Sequence, residues 1–194
     1  MQSILRPGLV LFLIFTLITG FAYPLLITGI SGVAFAYRAG GSIVERGGKA
    51  VGSELIGQNF GAPKYFWGRL SATSPQPYAG TGSTGSNLGP LNPALTDAVK
   101  ARIQALRAAD PGNTAPVPVD LVTASGSGLD PDISIAAALY QVPRVARARG
   151  LDVGALRALV GSQAHERWLG VLGEPTVNVL VLNLALDRLA GSRH

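Results

Sequence analysis

The 194-residue chain has no cysteine. Disulfides, cysteine-zinc sites, iron–sulfur clusters and thiol catalysis are therefore excluded. A thiol-free sequence suits an exported domain without requiring one. Histidine is scarce too, with two residues, His165 and His194. That is too few imidazoles for a transition-metal centre of the usual kind. Asp130 and Asp132 would hold a hard cation only with further oxygen donors. Lysine stands only at positions 49, 64 and 100, none of them in a glycine loop. The pattern G-x-x-x-x-G-K-[ST], whose loop cradles phosphates, is absent. Aromatics make up 7% of the chain, and the net charge of +5 is scattered, mostly on arginine. No basic run is interleaved with aromatics, so no nucleic-acid partner is expected.

A further absence is informative. No charged residue lies between Arg6 and Arg38. Leu9 to Ala36 reads LVLFLIFTLITGFAYPLLITGISGVAFA, an apolar run well beyond the 18 residues that suggest a transmembrane helix. Fully helical, it would reach roughly 42 Å, longer than a hydrocarbon core of about 30 Å, so tilt or protruding ends are implied. Pro24 removes a backbone donor near the middle, where a kink is expected. A cleaved signal peptide is the rival reading, because Ala34-Phe35-Ala36 resembles a cleavage site. The apolar part far exceeds the 7–15 residues typical of such signals, which favours a retained anchor. Residues 1–8 are then a short tail, 9–36 the membrane helix and 37–194 one soluble domain. Thr16, Gly20, Pro24, Thr28 and Gly32 recur every four residues along the helix. In lipid, helices associate by close packing of small residues, so this stripe points to a membrane partner. The flanking cations, Arg6 on one side and Arg38, Arg46 and Lys49 on the other, leave the orientation open.

In the soluble part, residues 38–91 are rich in glycine, serine and proline. Brief strands and turns are expected in YRAGGSIVERGGKAVGSELIG, a strand in KYFWGRL (64–70) and a loop through 73–93. Order returns at Asn92, a helix cap with Pro93 at the first position. Leu95, Val99, Ile103 and Leu106 form the apolar stripe of that helix, which stops at Asp110-Pro111-Gly112-Asn113. VPVDLVT (117–123) predicts a strand. A helix is expected from Ile133, capped by Asp132 or Ser134, interrupted at Pro143 and resumed briefly after it. Asp152 caps the next helix. VNVLVLNLALDRLA (177–190) is long for a strand and comfortable as a helix. As a helix it would expose Thr176, Asn183, Asp187 and Ala190, while Asn178 would need a buried partner. The fold class is α+β, a small sheet with several helices behind one transmembrane helix.

The segment TASGSGLDPDIS (123–134) invites three readings. As a phosphate cradle, Ser125-Gly126-Ser127-Gly128 lacks the lysine or metal that usually completes one. As part of an exported, membrane-anchored serine hydrolase, Ser125 or Ser127 would be the nucleophile, His165 the base, and Asp120 or Asp130 the orienting acid. GSG at 126–128 is not the G-x-S-x-G elbow of such enzymes. As a turn, the glycines let the chain reverse and Asp130-Pro131 redirects it. No catalytic constellation emerges, and an accessory subunit fits better than an enzyme.

Longer blocks carry a resemblance. VPVDLVTASGSGLDPDIS (117–134) is similar to the signature region of the C subunit of the Kdp high-affinity potassium-transporting ATPase. GSELIGQNF (52–60), YFWGRLSAT (65–73), GSNLGPLNPAL (85–95), YQVPRVARARGL (140–151) and GEPTVNVLVLNLALD (173–187) resemble further family motifs in the same order. The LRPGL start and TGFAYPLLITGI resemble them as well. The family often has His where Asp132 stands, Pro at Ile135, and R-P-S-A at Arg69-Leu70-Ser71-Ala72, which weakens any role for those side chains. The resemblance implies a single-pass subunit of a bacterial plasma-membrane pump that moves potassium inward using ATP. Its partners would be the channel-like A subunit, the P-type B subunit and a small membrane subunit. It implies no catalysis and no tightly bound cofactor, with ATP met only together with the ATPase subunit, whose ATP affinity this chain would raise. Gln141 corresponds to a glutamine proposed in the family to touch nucleotide. The N-terminus would be cytoplasmic and the domain extracytoplasmic.

Overall fold

A long apolar stretch without charge satisfies its backbone in lipid only as a helix. The computed structural model, which describes residues 2–191, shows that helix. It runs as α1 (Gln2–Leu17), a π-helical turn (Ile18–Ala22) and α2 (Tyr23–Ala34). The span from Ile4 to Ala34 is long and apolar enough to cross a membrane, and none of its residues is buried. At Pro24 the structure shows a π-helical turn. Proline carries no N–H to give to the carbonyl four residues back. The chain widens just before it, so that Tyr23 N–H reaches Ile18 O, five residues away. Thr16 and Thr19 return their hydroxyls to Phe12 O and Phe15 O, both at 2.7 Å, which keeps these polar groups satisfied inside the helix. A short α3 (Ala36–Ala39) follows.

The second compact unit is Val44–His194. It starts in a hairpin, β1 (Ile43–Arg46) and β2 (Lys49–Ser53), turning on Gly47 and Gly48 with φ of +60° and +73°. Positive φ at both turn residues matches the right-handed twist of the flanking strands. The long loop expected over 73–93 is present, and α4 (Pro93–Ala109) follows it. Asn92 caps α4 by accepting from Ala94 N–H at 3.0 Å.

Two expected strands are not strands. Residues 117–123 form a loop and one 3-10 turn, Val119–Leu121. Pro116 and Pro118 remove alternate donors, so this segment cannot supply a ladder edge. Residues 64–70 run without a strand partner apart from a bridge between Leu70 and Ala124. The three-stranded antiparallel sheet is built instead from β3 (Asp132–Ser134), β4 (Ala164–His165) and β5 (Thr176–Asn178) in the order β3-β5-β4. Ile133 sits opposite Val177, and both are buried. The helix expected from Ile133 starts two residues later, as α5 (Ile135–Arg149), capped by Ser134 through Ala137 N–H at 3.0 Å.

Pro143 does not interrupt α5. A proline inside a helix costs about 3 kcal/mol. Ala137, Ala138, Val142, Val145 and Ala146 are buried on both sides of it, and burying one such valine recovers roughly 1.5–3 kcal/mol, so packing decides. Helix α6 (Val153–Ser162) is capped by Asp152, and α7 (Val179–Gly191) leaves β5 directly. The core gathers Phe66, Leu121, Ile133, Val142, Leu156, Val177 and Leu182 between α5, α6, α7 and the sheet.

Candidate functional site

The signature segment folds as a turn packed against two loops. Arg69 donates to Asp130 Oδ2 at 3.1 Å and to Ala124 O at 3.3 Å, spanning the base of the turn. Ser125 N–H reaches Leu70 O at 3.1 Å, and Asp130 Oδ1 receives Asp132 N–H at 3.0 Å. The serine hydroxyl of residue 127 accepts Leu129 N–H, and its carbonyl receives Thr84 N–H and the Ser83 hydroxyl, both at 3.0 Å. Ser71 Oγ donates to Gly128 O at 2.6 Å. Gly128 has φ +68°, and a Cβ there would stand 2.6 Å from both Thr73 Cγ2 and Thr84 O. Glycine is required at 128 for handedness and for space. The N–H groups of Gly128 and Leu129 are spent inside the turn, and that of Ser125 on Leu70 O. Ser125 is 3% exposed, and its hydroxyl has no partner. Among the described residues no hydrogen bond joins His165, on β4, to Ser125 or Ser127.

Beside the turn lies a cleft of about 530 Å3 lined by Arg69, Val119, Asp120, Asp130, Asp132 and Thr176. Its carboxylates are largely occupied. Asp120 Oδ2 takes Ser134 N–H at 2.7 Å, and Asp132 Oδ2 takes the Thr176 hydroxyl at 3.3 Å. Burial pushes the Asp132 carboxyl above the usual range, and the neighbouring Asp130 carboxylate adds to this, opposed by the Thr176 hydroxyl.

Gln141 lies elsewhere, in the centre of the domain on α5, and is 1% exposed. Its Oε1 accepts Trp67 N–H at 2.8 Å, and its Nε2 donates to Trp67 O at 3.1 Å and Ala137 O at 3.2 Å. Asn183 on α7 does the same for the preceding residue. Phe66 N–H donates to Asn183 Oδ1 at 2.9 Å, and Asn183 Nδ2 donates to Phe66 O at 3.0 Å. The two amides thus stand in for neighbouring strands along residues 66 and 67. A buried backbone must find partners somewhere. Asn183, expected on an exposed stripe, is buried at 1% because it fills this role. Asp187 from that stripe is partly buried between Arg46 and Arg149, at 3.1 and 2.8 Å. Ala190 lies outside the described side chains. Asn178 has the buried partner it needed, donating to Glu54 O at 2.8 Å.

The Trp67 ring completes the cluster. Arg144 lies 4.3 Å and Arg102 5.2 Å from its centroid, and its indole N–H donates to Ala62 O at 3.1 Å. Arg144 also donates to Pro63 O, and to Gln141 Oε1 at 2.6 Å. Burial draws the Arg144 guanidinium down to about 10, and burial lowers Arg102 as well. Arg102 holds Leu121 O at 3.0 Å and Gly68 O at 3.2 Å, tying the aromatic segment to the signature region. Sequence reasoning picked out Gln141 and the 125–130 turn but missed Asn183, Arg144, Arg102 and Trp67. The available signal was the polar residue inside each apolar stripe, Gln141 in α5 and Asn183 in α7, since an amide there needs a partner.

On the N-terminal apolar helix, Thr16 sits in α1, Gly20 in the π-helical turn, and Pro24, Thr28 and Gly32 in α2. A four-residue spacing drifts by about 40° per step on an α-helix, and the wider turn takes back part of that drift between Gly20 and Pro24. A Cβ at Gly20 or Gly32 would meet nothing within 4 Å.

Compared with known proteins, residues 5–188 match the family model described as KdpC, the K+-transporting ATPase c chain. The chain is 64% identical to the potassium-transporting ATPase KdpC subunit of Variovorax paradoxus (strain S110) over 193 residues, all of both chains. It is 66% identical to that of Ralstonia nicotianae over 187 residues, 96% of this chain and 92% of the relative. The KdpC subunit of Herpetosiphon aurantiacus is 59% identical, over 97% of this chain and 98% of its own.

Proposed function

The chain belongs to the KdpC family, the c chain of the K+-transporting ATPase, and on that premise we propose that it is the anchored, non-hydrolytic subunit of an ATP-driven inward potassium pump. The helix Ile4–Ala34 holds it in the bacterial plasma membrane, with the N-terminus cytoplasmic and the α+β domain outside. Its partners are the channel-like and P-type ATPase subunits and a small membrane subunit. It binds no cofactor tightly and meets ATP, if at all, only in the assembled pump. Its domain is then on the opposite face from ATP hydrolysis, so any rise in ATP affinity is a coupling between distant sites. Gln141 contributes by holding Phe66-Trp67 and the fold around them.

One observation carries this reading: family membership through residues 5–188 coincides with an apolar helix in which no residue is buried within the chain. Such a surface needs lipid or other helices. Gly20 and Gly32 have open space where a side chain would go, so a bulky residue there is tolerated by this chain and felt by a neighbour. Gly20→Leu and Gly32→Leu are expected to lower the yield of larger pump subunits recovered with the tagged full chain in mild detergent. Wild-type recovery and wild-type potassium-stimulated ATP hydrolysis in both variants refute helix packing at this stripe. A phosphatase fused after residue 194 is expected to be active, and inactivity there overturns the orientation.

A further inference from the structure

Between β4 and β5 the chain makes a tight hairpin, residues 166–174. Trp168 N–H donates to Leu172 O at 2.8 Å, and Leu172 N–H returns the bond to Trp168 O at 3.0 Å. Gly170 N–H reaches Arg167 O at 3.0 Å, and Val171 N–H reaches Trp168 O at 3.2 Å. Leu169 and Gly170 both take positive φ, +53° and +76°. A leucine in the left-handed region is uncommon and persists only where its surroundings hold it. At the base, Arg167 and Glu174 pair at 2.8 Å.

The side chains on this closed backbone are unusual. Trp168, Leu169, Val171 and Leu172 are 68%, 75%, 73% and 55% exposed. Single exposed apolar residues are ordinary, but four large ones within five positions form a contiguous patch. The backbone spends its own donors within the turn, so the tip enters an apolar setting without leaving them orphaned. Tryptophan at the centre of such a patch is the residue most often found to anchor an interface.

Two surroundings fit an apolar tip, a bilayer and a pocket on another protein. The charge at the base decides between them. Arg167 and Glu174 neutralise each other, which leaves Glu166 as the unbalanced charge. Segments that settle on membranes carry Lys and Arg against anionic headgroups, and this one carries the opposite excess. We propose that the 166–174 hairpin is a plug that seats Trp168 and Leu169 in an apolar pocket of another pump subunit. The pocket has a cationic side chain at its rim facing Glu166. This inference rests on the chain being a subunit of the potassium-transporting ATPase.

The test uses the complete pump, with the full-length tagged chain and all its subunits. A photo-crosslinking amino acid replacing Trp168 is expected to join the chain to a larger pump subunit. Crosslinks to lipid alone, to a second copy of this chain, or to nothing overturn the proposal. Leu169→Asn removes the apolar tip while keeping a residue that tolerates left-handed φ. Together with Trp168→Ser it is expected to weaken retention of the larger subunits by roughly thirtyfold, as loss of an interface anchor does. The thermal midpoint of the variant chain stays unchanged, because both side chains are exposed. Glu166→Lys is expected to weaken retention in the same direction through repulsion at the rim, while the Arg167–Glu174 pair stays in place. Full retention in Leu169→Asn/Trp168→Ser, with wild type also retained, sinks the hairpin alone. Failure of the wild-type chain to recover any pump subunit sinks the membership reading beneath it.

Discussion

Replacing Gln141 by alanine removes an amide that serves Trp67 N–H, Trp67 O, Ala137 O and Arg144. Trp67 N–H, Trp67 O and one arm of Arg144 lose their partner at a site 1% exposed to solvent. Each buried polar group left unpaired costs about 1–3 kcal/mol, and the space vacated by the side chain adds a cavity term. For three such groups this comes to roughly 3–9 kcal/mol before the cavity term, a large share of the 5–15 kcal/mol that holds a typical domain together. At about 2–4 °C per kcal/mol in a domain of this size, the thermal midpoint falls by roughly 10 °C or more. Differential scanning calorimetry of the full chain in detergent reads this directly. Asn183→Leu is the matched control, because Asn183 holds Phe66 as Gln141 holds Trp67. If Gln141 acts through the fold, both variants lower the midpoint together and raise the pump's KM for ATP together. A Gln141→Ala midpoint within about 3 °C of wild type refutes the clamp. A KM effect confined to Gln141, with Asn183→Leu unchanged, refutes the indirect route in favour of nucleotide contact.

Two glycines of the signature turn are expected to respond in opposite ways. Gly128→Ala, with positive φ and two atoms at 2.6 Å from the new Cβ, loses about 2–4 kcal/mol in chemical denaturation. Gly126→Ala, whose Cβ meets nothing within 4 Å, stays within about 0.5 kcal/mol of wild type. Asp132→Asn tests the cleft: burial raises the carboxyl in the folded state, so its ionised form is a penalty above the folded value and none below the unfolded one, about 3.9. The asparagine variant is therefore more stable than wild type at pH 7, and the difference closes as pH falls through the carboxylate range. A constant difference across that range assigns the effect to the Thr176 contact instead.

Much of the local structure was legible. The caps at Asn92 and Asp152, the Gly47-Gly48 hairpin and the loop over 73–93 follow from side chains acting within a turn of their own backbone. The α+β class and the uncharged helix follow from periodicity and from the lack of charge between Arg6 and Arg38. The misses share one cause. The 117–123 segment has strand-forming valines, but its prolines withhold donors and its Asp120 serves Ser134 instead. Pro143 looked like a helix end, yet packing on both sides of it outweighs the lost hydrogen bond.

Taken alone, the order of residues settled the fold class, the caps at Asn92 and Asp152 and the one stretch long and apolar enough to cross a membrane, because those preferences arise within a few neighbouring positions. The folded chain decided the fate of its internal amides. Asn183 and Phe66 stand 117 positions apart, and Gln141 and Trp67 stand 74 apart. An amide on an apolar stripe is a cost until some backbone without a partner is packed against it, and that meeting depends on the whole arrangement of α5, α7 and the segment between Tyr65 and Gly68.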